Sequence, residues 1–272
     1  MSRERPASER ISPRPASDRI WPRAGWVAAS VAGVIAVWWV LSATGVVPAR
    51  DLPSPATVWT RLWDRIADGT IPLAASRSLI RLAFGIAVAA VFGTLLGMAM
   101  AATRPFQRAV GPLVVGLQAL PPIAWLPLAI LWLGYSERAV VLVVIVGAFP
   151  AIALATASSV RQVSPTLVRA GRTLGASGWD LYRHVVGPAA VPGYLEGLRQ
   201  GWVFGWRSLL AAELIIRGGR GLGHSLTRAG RAFDAPAILA LMVVIAIIGV
   251  AVDAAFAALD RRVRARRGLL VA

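Results

Sequence analysis

The residues of this chain that can do chemistry are charged side chains set inside otherwise apolar segments. Arg77 and Arg81 lie one helical turn apart where an apolar run begins. Glu196, Arg199 and Arg207 fall within about 80° of one another on a helical wheel. A guanidinium group offers a planar set of donors that matches a sulfonate, nitrate or carboxylate. Because a charge is costly in lipid, such a stripe must face the bundle or an aqueous cavity, and the pattern predicts a pathway for a small anion.

Three further residues join the candidate translocation pathway because they flank interruptions in apolar segments. Gln118 and Pro121 stand where prolines interrupt one segment, and Glu213 precedes the glycine-rich loop 218–223. A proline inside a membrane frees backbone carbonyls, which is tolerated only where neighbours or a cavity satisfy them. Glu213 and this loop can shape an outer gate or receive a binding protein, or the loop can be a plain flexible hairpin.

Structural roles remain open for the same arginines. Arg199 can pair with Glu196 one turn away, and Arg207 can pair with Glu213 or with another helix. Arg77 can extend its side chain to the membrane interface, since a long aliphatic stem allows the charged head to reach water. The residue types therefore indicate anion handling without showing which arginine contacts the solute.

Several kinds of active site are excluded by composition. The chain has no cysteine, which removes disulfides and thiol chemistry, and its two histidines, His184 and His224, are far apart and lack a ligand-like neighbourhood. All 29 basic residues are arginine, so the lysine of a phosphate-binding loop is missing. We expect no metal and no cofactor on this chain, and we do not expect it to be an enzyme.

The elements that must position these residues are membrane-spanning helices. The chain is 57% hydrophobic and 15% charged, and its charges are clustered. Crossing a bilayer takes about 20 mostly apolar residues. Five long runs carry no charge: 24–49, 82–103, 109–136, 139–160 and 235–252. The chain is therefore predicted to be an all-α polytopic membrane protein surrounded by a lipid bilayer.

We expect about six transmembrane helices in a single permease-like domain, 24–260. Their predicted bounds are 24–44, 73–101, 109–133, 137–157, 189–212 and 236–259. A short amphipathic surface helix is predicted at 57–71, where apolar residues recur at spacings of three and four. The Arg-rich residues 1–23 are predicted to be a disordered tail, and residues 261–272 a basic C-terminal tail.

The distribution of arginine predicts the orientation. With both termini in the cytoplasm, 17 arginines fall inside and 8 outside. This bias favours cytoplasmic N- and C-termini, because arginine accumulates on the cytoplasmic side. The high positive charge therefore indicates membrane topology, and no nucleic-acid partner is expected. The four arginines of 213–234 run against the rule locally.

The segment 164–188 has more local structure than a connecting loop needs. It starts with a serine–proline pair, where serine can cap a helix and proline can occupy its first turn. Thr166–Leu174 can form one short helix, and Gly175 can end it in the left-handed conformation. Ser177 can cap a second helix through His184, which Pro188 follows. The prediction is a pair of short cytoplasmic helices parallel to the membrane.

This segment resembles the cytoplasmic motif of ATP-binding-cassette importer permeases. That motif is Glu-Ala-Ala, three residues, Gly, nine residues and Ile-x-Leu-Pro. The chain has Arg169-Ala170-Gly171, three residues, Gly175, nine residues and Val185-Val186-Gly187-Pro188. The spacing is kept, and three positions depart from the motif: Arg169, Gly171 and Gly187.

Further stretches are similar to one subfamily, the aliphatic sulfonate, taurine and nitrate permeases. They are Ser78–Gly85, Leu120–Pro127, Ala211–Ile215 and Gly221–Gly223, and the resemblance covers roughly 50–260. It implies a bacterial inner-membrane importer subunit whose solute arrives on an extracytoplasmic binding protein. It also implies a homodimer, and a separate ATP-binding cassette ATPase dimer that carries the ATP and Mg²⁺. The residues implied to couple to that ATPase are Arg169, Ala170, Gly171, Gly175, Ala176, Ser177, Trp179, Val185 and Pro188.

Other functions compete with this interpretation. The 164–188 segment can instead be an amphipathic loop anchored to lipid headgroups. A secondary transporter would need embedded acidic residues or an internal repeat, and a membrane enzyme would need a catalytic cluster; neither is evident. Within the importer class, a thiamine-precursor, riboflavin-type or pyrimidine solute is the alternative to a sulfonate or nitrate.

Overall fold

The computed structural model describes residues 23–216 and 218–265. The predicted disordered tail, apart from its last residue, and the end of the basic C-terminal tail lie outside these residues. The described chain divides into two compact units, one ending at Pro55 and the other beginning at Ala56. Its α-helices are α1 Arg23–Ala43, α2 Pro55–Ala67, α3 Thr70–Ala102, α4 Arg104–Ala119, α5 Leu126–Leu133, α6 Glu137–Arg161, α7 Pro165–Thr173, α8 Gly178–Leu181, α9 Gly187–Ile215, α10 Leu222–Arg231 and α11 Ala235–Ala265.

The first unit consists mainly of α1. Its stretch Gly25–Ala43 has a mean hydropathy of 1.9, which confirms a helix apolar enough to span a bilayer. The indole nitrogen of Trp38, inside this helix, donates a hydrogen bond at 3.0 Å to the carbonyl of Pro53, which lies after it. This bond fixes the proline-rich connector against the helix that precedes it.

The second unit begins with the amphipathic helix α2. Val58 and Leu62, four residues apart, are buried, as the spacing predicts. Trp59 and Trp63, which the pattern places on the same apolar face, are exposed. The helix ends at Ala67, earlier than predicted, because Gly69 adopts a left-handed conformation with φ of 77° and starts a new helix. The expected surface helix is therefore present, but shorter.

The core of the second unit is formed by α3, α6 and α9, with α6 in the middle. Glycines let the helices approach closely. A Cβ on Gly85 of α3 would lie 2.6 Å from Cγ1 of Val144, and one on Gly201 of α9 would lie 2.7 Å from Cγ1 of Ile152. In α6, 61% of the apolar window is buried, against 28% in α3. This closely packed core therefore fixes the positions of the segments that precede and follow the three helices.

The prolines break the predicted span 109–133. α4 and the segment Pro122–Leu133, which comprises a 3₁₀ turn and α5, meet at an angle of 95°. Leu120 and Pro121 are extended at the break, because a proline excludes helical conformation in the preceding residue and donates no backbone hydrogen bond. The predicted interruption by the prolines is therefore present, as a sharp break between two helical segments.

The number of spans is therefore four by length and hydropathy, or five if the bent pair counts as one. These are α1, α3, α6 and α11, with α4 and Pro122–Leu133 as the bent pair. The sixth predicted span corresponds to α9, which is long enough but carries two glutamates and two arginines. The all-α membrane fold is confirmed, but hydropathy and length do not support six spans in the described chain.

A short helix and an ion pair organise the end of the unit. The segment after α9 forms α10, which contains four consecutive buried residues from Leu222 to Ser225. Asp234, just before α11, accepts from Arg65 at 3.2 Å and lies 3.6 Å from Arg61. Two arginines of α2 therefore fix the start of α11.

Candidate functional site

The helix–turn–helix at 164–188 has the turn that its glycine predicts. Gly175 is left-handed with φ of 91°. Its N–H donates to the carbonyl of Arg172 at 3.0 Å, and the N–H of Ala176 donates to the carbonyl of Gly171 at 3.0 Å. These two bonds form a Schellman motif, which satisfies the last carbonyls of α7. The predicted left-handed end at Gly175 is confirmed.

The two helices pack against each other through Gly171. A Cβ at this position would lie 2.9 Å from Cγ2 of Val185 and 3.0 Å from Cδ1 of Leu181. Because α7 crosses the second helix at this distance, even a methyl group would force a shift. The departure of Gly171 from the Ala of the motif therefore has a local packing reason.

The second helix continues into α9 without a break, which corrects the predicted end at His184. α8 is followed by a π-helical turn, Tyr182–Val186, in which the N–H of Gly187 donates to the carbonyl of Tyr182. A Cβ on Gly187 would lie 2.9 Å from that carbonyl oxygen. The wider turn accommodates Pro188, which lacks an N–H and would disturb a regular α-helix. α8, the π turn and α9 therefore form one continuous helical rod.

The outer surface of this segment is apolar and basic. Leu174 is 88% exposed and Trp179 is 71% exposed. Arg169 and Ala170 are also exposed, whereas Ala176 and Val185 are half-buried. Ser177 occupies the start of α8, but its side chain makes no cap hydrogen bond, and neither does the serine before α7. The serine caps predicted from the sequence are absent, while the segment still presents two large apolar side chains to a partner.

A cavity of about 550 Å³ lies beside this segment, between the ends of α6 and α9 and Gln118 of α4. Among its lining residues are Gln118, Ser158, Gln162, Glu196 and Gln200. The lining is polar even though the helices are apolar overall. Two of the predicted pathway residues, Gln118 and Glu196, therefore come together here.

Arg199 does not face this cavity. Its guanidinium binds Asp253 of α11 in a bidentate pair, with Nε 2.6 Å from Oδ1 and Nη2 2.9 Å from Oδ2. Glu196 is more distant, at 3.5 Å from Nη1. The predicted stripe is thus split, since Glu196 lines the cavity whereas Arg199 pairs with α11. Asp253 was missed from the sequence, although a lone carboxylate inside an apolar helix is a signal for such a partner.

Arg81 and Glu213 belong to a buried polar cluster at the opposite end of α9 from the helix pair 164–188. Glu213 has no exposed surface, and Arg81 is 5% exposed. Arg81 Nη1 lies 2.8 Å from Glu213 Oε1, and Nη2 pairs with Glu137 at the start of α6. Ser78 Oγ donates to Glu213 at 2.9 Å, and the N–H of Gly223 donates to Oε2 at 2.9 Å. The cluster joins α3, α6, α9 and α10.

The other three pathway candidates lie outside the cavity, the Arg199–Asp253 pair and the buried cluster. Arg77, Pro121 and Arg207 are exposed in the described chain. Arg207 makes no ion pair there, so its predicted partner Glu213 pairs with Arg81 instead. The eight candidates therefore divide among a cavity, a helix clamp, a buried cluster and exposed positions. In the described chain no group of three metal-ligating side chains comes together.

These features define a class of protein. A helical membrane domain has a polar cavity between its central helices, and an exposed helix pair continues directly into one of them. This is the architecture expected of a transporter subunit that is driven from one side of the membrane.

Comparison with known proteins identifies the family. Residues 66–265 match the family model described as "Binding-protein-dependent transport system inner membrane component". The chain belongs to this family and is a membrane-embedded permease subunit of an ABC importer. Its relatives are named as permease subunits of ABC transporters, and the chain is not itself an enzyme.

The relatives include permeases with named solutes. The chain is 32% identical over 238 residues to the taurine transport system permease protein TauC of Escherichia coli strain K12, covering 86% of each chain. It is 28% identical over 242 residues to the nitrate import permease protein NrtB of Synechocystis, again covering 86% of each. The similarity extends over most of both proteins, so it includes the cavity and the helix pair.

Solved structures support the fold. A chain of the inward-facing MetNI methionine ABC transporter aligns with a TM-score of 0.63 at 20% identity, covering 71% of this chain and 96% of that chain. At this identity the likeness shows the fold of an importer permease, and no more.

Proposed function

We propose that this chain is the permease of an ATP-driven importer for a small anionic solute of the sulfonate, taurine or nitrate type. In this proposal a separate ATPase dimer docks on Arg169–Pro188 and holds ATP and Mg²⁺. The observation that carries it is the continuous helix from α8 through the π turn into α9, which lines the 550 Å³ cavity.

The continuous helix supports a mechanism of coupling. A force applied by the ATPase to α7 and α8 passes into α9, because the π turn keeps the backbone hydrogen-bonded at Pro188. Gly171 holds α7 tightly against this rod, so the two short helices move as one body. Displacement of α9 relative to α6 then opens or closes the cavity between them.

The surface of the segment supports a protein partner over lipid headgroups. Leu174 and Trp179 are 88% and 71% exposed and flank the same turn, so they form one apolar patch beside the arginines. Arg169 and Arg172 lie beside them, so a complementary groove is expected to be apolar at its centre and acidic at its rim.

The orientation is proposed from the arginine bias, with both termini and the coupling segment in the cytoplasm of a bacterial cell. The α9–α10 loop then lies outside, where an extracytoplasmic binding protein delivers the solute. A homodimer is proposed because each chain supplies a single coupling segment, whereas two ATPase subunits need two. A polar, partly anionic cavity lining requires further cationic groups for an anion, and Arg207, exposed on α9 outside the cavity, is the candidate that the proposed homodimer would have to bring to it.

Co-purification tests the coupling segment. The chain is expressed with its cognate ATPase, and Trp179→Ala is compared with Trp59→Ala on α2. The two tryptophans are matched, with 71% and 65% exposure. Trp179→Ala is expected to reduce ATPase recovery at least tenfold, as loss of a large interface side chain commonly does. Equal recovery from both variants would refute docking at this segment.

Uptake by cells tests the solute. Labelled taurine uptake is measured with excess alkanesulfonate, nitrate or thiamine precursor as competitor, in cells with and without the chain. Competition by an anion and none by the thiamine precursor supports the proposed solute class. Uptake that is independent of the chain, or blocked only by the thiamine precursor, contradicts it.

A further inference from the structure

The segment between α9 and α11 has a charge pattern that the proposed function does not use. Residues 218–231 contain Arg220, Arg228 and Arg231 and no acidic residue. In the proposed orientation these arginines lie on the extracytoplasmic side, where arginine is normally scarce. A cluster that opposes the general bias calls for a local reason.

The structure gathers these arginines around a pocket of about 220 Å³. Its polar lining side chains are Arg220, His224, Thr227, Arg228 and Arg231. No residue that lines this pocket lines the 550 Å³ cavity, so the two are separate. The volume suits one small solute and is below the range of drug-sized sites, about 300–1,000 Å³.

The positive charge of the pocket is not neutralised by the described residues. Arg220 and Arg231 are exposed and make no ion pair within 23–216 and 218–265. Arg228 donates only to the neutral hydroxyl of Ser225, at 3.2 Å. The nearby Asp234 pairs with arginines of α2 instead. Three guanidinium groups are therefore available to an anion.

His224 provides a second, independent observation. Its side chain is 6% exposed, yet neither ring nitrogen makes a hydrogen bond of normal geometry. Nδ1 is 3.9 Å from Glu213 Oε2, and the backbone of Ile216 lies close by. Nε2 faces Gly219 in the pocket wall, where an added Cβ would collide with it. Burial lowers the pKa of His224, so the ring is neutral, and both of its nitrogens lie behind the pocket wall.

The pocket is built on a rigid base. The N–H of Leu222 donates to Ser78 at 2.9 Å, and that of Gly223 donates to the buried Glu213 at 2.9 Å. The start of α10 is therefore fixed to α3 and α9. Gly218, which lines the pocket, is left-handed with φ of 85°. The backbone at the start of α10 is preorganised, which lowers the cost of binding.

We propose that this pocket binds one small oxyanion group, such as a sulfonate, sulfate or nitrate, through Arg220, Arg228 and Arg231, against the wall that His224 and Gly219 form. The position of the pocket rests on the proposed orientation, in which it receives the anion outside the membrane before the anion reaches the central cavity. The oxygens of a planar or tetrahedral anion match the donors of a guanidinium group. A flat basic surface would lack the recessed wall at His224.

Binding is tested with radiolabelled sulfate as the probe on the purified full chain in nanodiscs of zwitterionic lipid. Arg220→Gln/Arg231→Gln is compared with Arg261→Gln/Arg262→Gln, a charge-matched change at an exposed end of α11. The first variant is expected to bind at least about tenfold more weakly than the control, since charge-assisted hydrogen bonds are lost. Equal affinity of the two variants overturns the proposal.

A second variant guards against loss by misfolding. Gly219→Val keeps every charge but fills the pocket wall against His224, so it is expected to weaken sulfate binding as strongly as the arginine change. Size-exclusion profiles of all variants report folding. Sulfate binding that survives in Gly219→Val places the anion elsewhere and contradicts the proposed pocket.

A lipid arm distinguishes the source of the oxyanion. The wild-type measurement is repeated in nanodiscs that contain phosphatidylglycerol, whose headgroup phosphate offers the same chemistry. Unchanged sulfate affinity supports a site for the free anion. Loss of sulfate binding assigns the pocket to a lipid headgroup and overturns the free-anion proposal.

A labelling arm separates this proposal from the proposed orientation and coupling. The chain has no cysteine, so Ala232→Cys gives a single exposed thiol beside α10. Labelling of intact cells by a membrane-impermeant maleimide places the pocket outside. Labelling only after permeabilisation refutes the proposed orientation and the external receiving role, whereas ATPase recovery separately reports the coupling segment.

Discussion

Removal of the Glu213 carboxylate should destabilise the chain more than any change in the cavity. Glu213→Leu deletes the buried partner of Arg81 and the acceptor for Ser78 and for the N–H of Gly223. Breaking a buried pair by removing one partner costs about 3–5 kcal/mol, because the other charge stays buried. Arg81 retains Glu137, which is 65% exposed, so the expected loss is near the lower end, about 3 kcal/mol.

The size of this loss is checked by unfolding the purified chain with SDS in mixed micelles, followed by tryptophan fluorescence. Glu196→Gln is the control, since its side chain is 50% exposed and it lines the cavity. The control is expected to stay within about 0.5 kcal/mol of the wild type.

A double variant tests the electrostatic cause. Arg81→Met/Glu213→Leu leaves no uncompensated charge, so it should recover most of the stability lost by Glu213→Leu. A Glu213→Leu chain within about 1 kcal/mol of the wild type would refute the reasoning. So would a double variant as unstable as the sum of the two single changes, since that would show that packing dominates over charge.

Three further outcomes follow from the same contacts. Gly187→Val should force the π turn to shift, because its Cβ would lie 2.9 Å from a carbonyl oxygen, and we expect ATPase recovery to persist while transport is lost. Gly175→Ala, at φ of 91°, should cost about 1 kcal/mol and weaken ATPase recovery, whereas Gly116→Ala, inside α4 with open space around it, should neither destabilise the chain nor weaken ATPase recovery. Asp253→Asn should leave Arg199 half-exposed to water and lower the SDS midpoint less than Glu213→Leu does; an equal loss would contradict this difference in burial.

The membrane fold could be predicted because it depends on local properties of the chain. The length of an uncharged run decides whether a helix can cross lipid, and α3, α6 and α11 follow those runs. Gly175 could be assigned to a turn because a positive φ is a property of one residue. The break at Pro121 was harder to predict, since proline can either kink a membrane helix or end it.

The partners of the charged residues could not be predicted in the same way. Arg199 had a carboxylate one turn away in Glu196, yet it binds Asp253, 54 residues further along the chain. Which of the two is closer depends on how α9 crosses α11, and this is set by packing of many side chains at once. The sequence likewise places Glu213 beside a glycine-rich loop, but only the folded chain shows that the carboxylate is buried against Arg81.

Some properties of the charged residues inside the apolar helices therefore follow from the sequence, and others depend on the folded chain. Their presence inside apolar helices, and hence their need for a polar surrounding, follows from the sequence alone, because the cost of a charge in lipid is a property of the residue. Their distribution among the cavity, the α9–α11 clamp, the buried cluster and exposed positions is decided by tertiary structure. Close helix contacts, at positions such as Gly85 and Gly201, determine which side chains can meet.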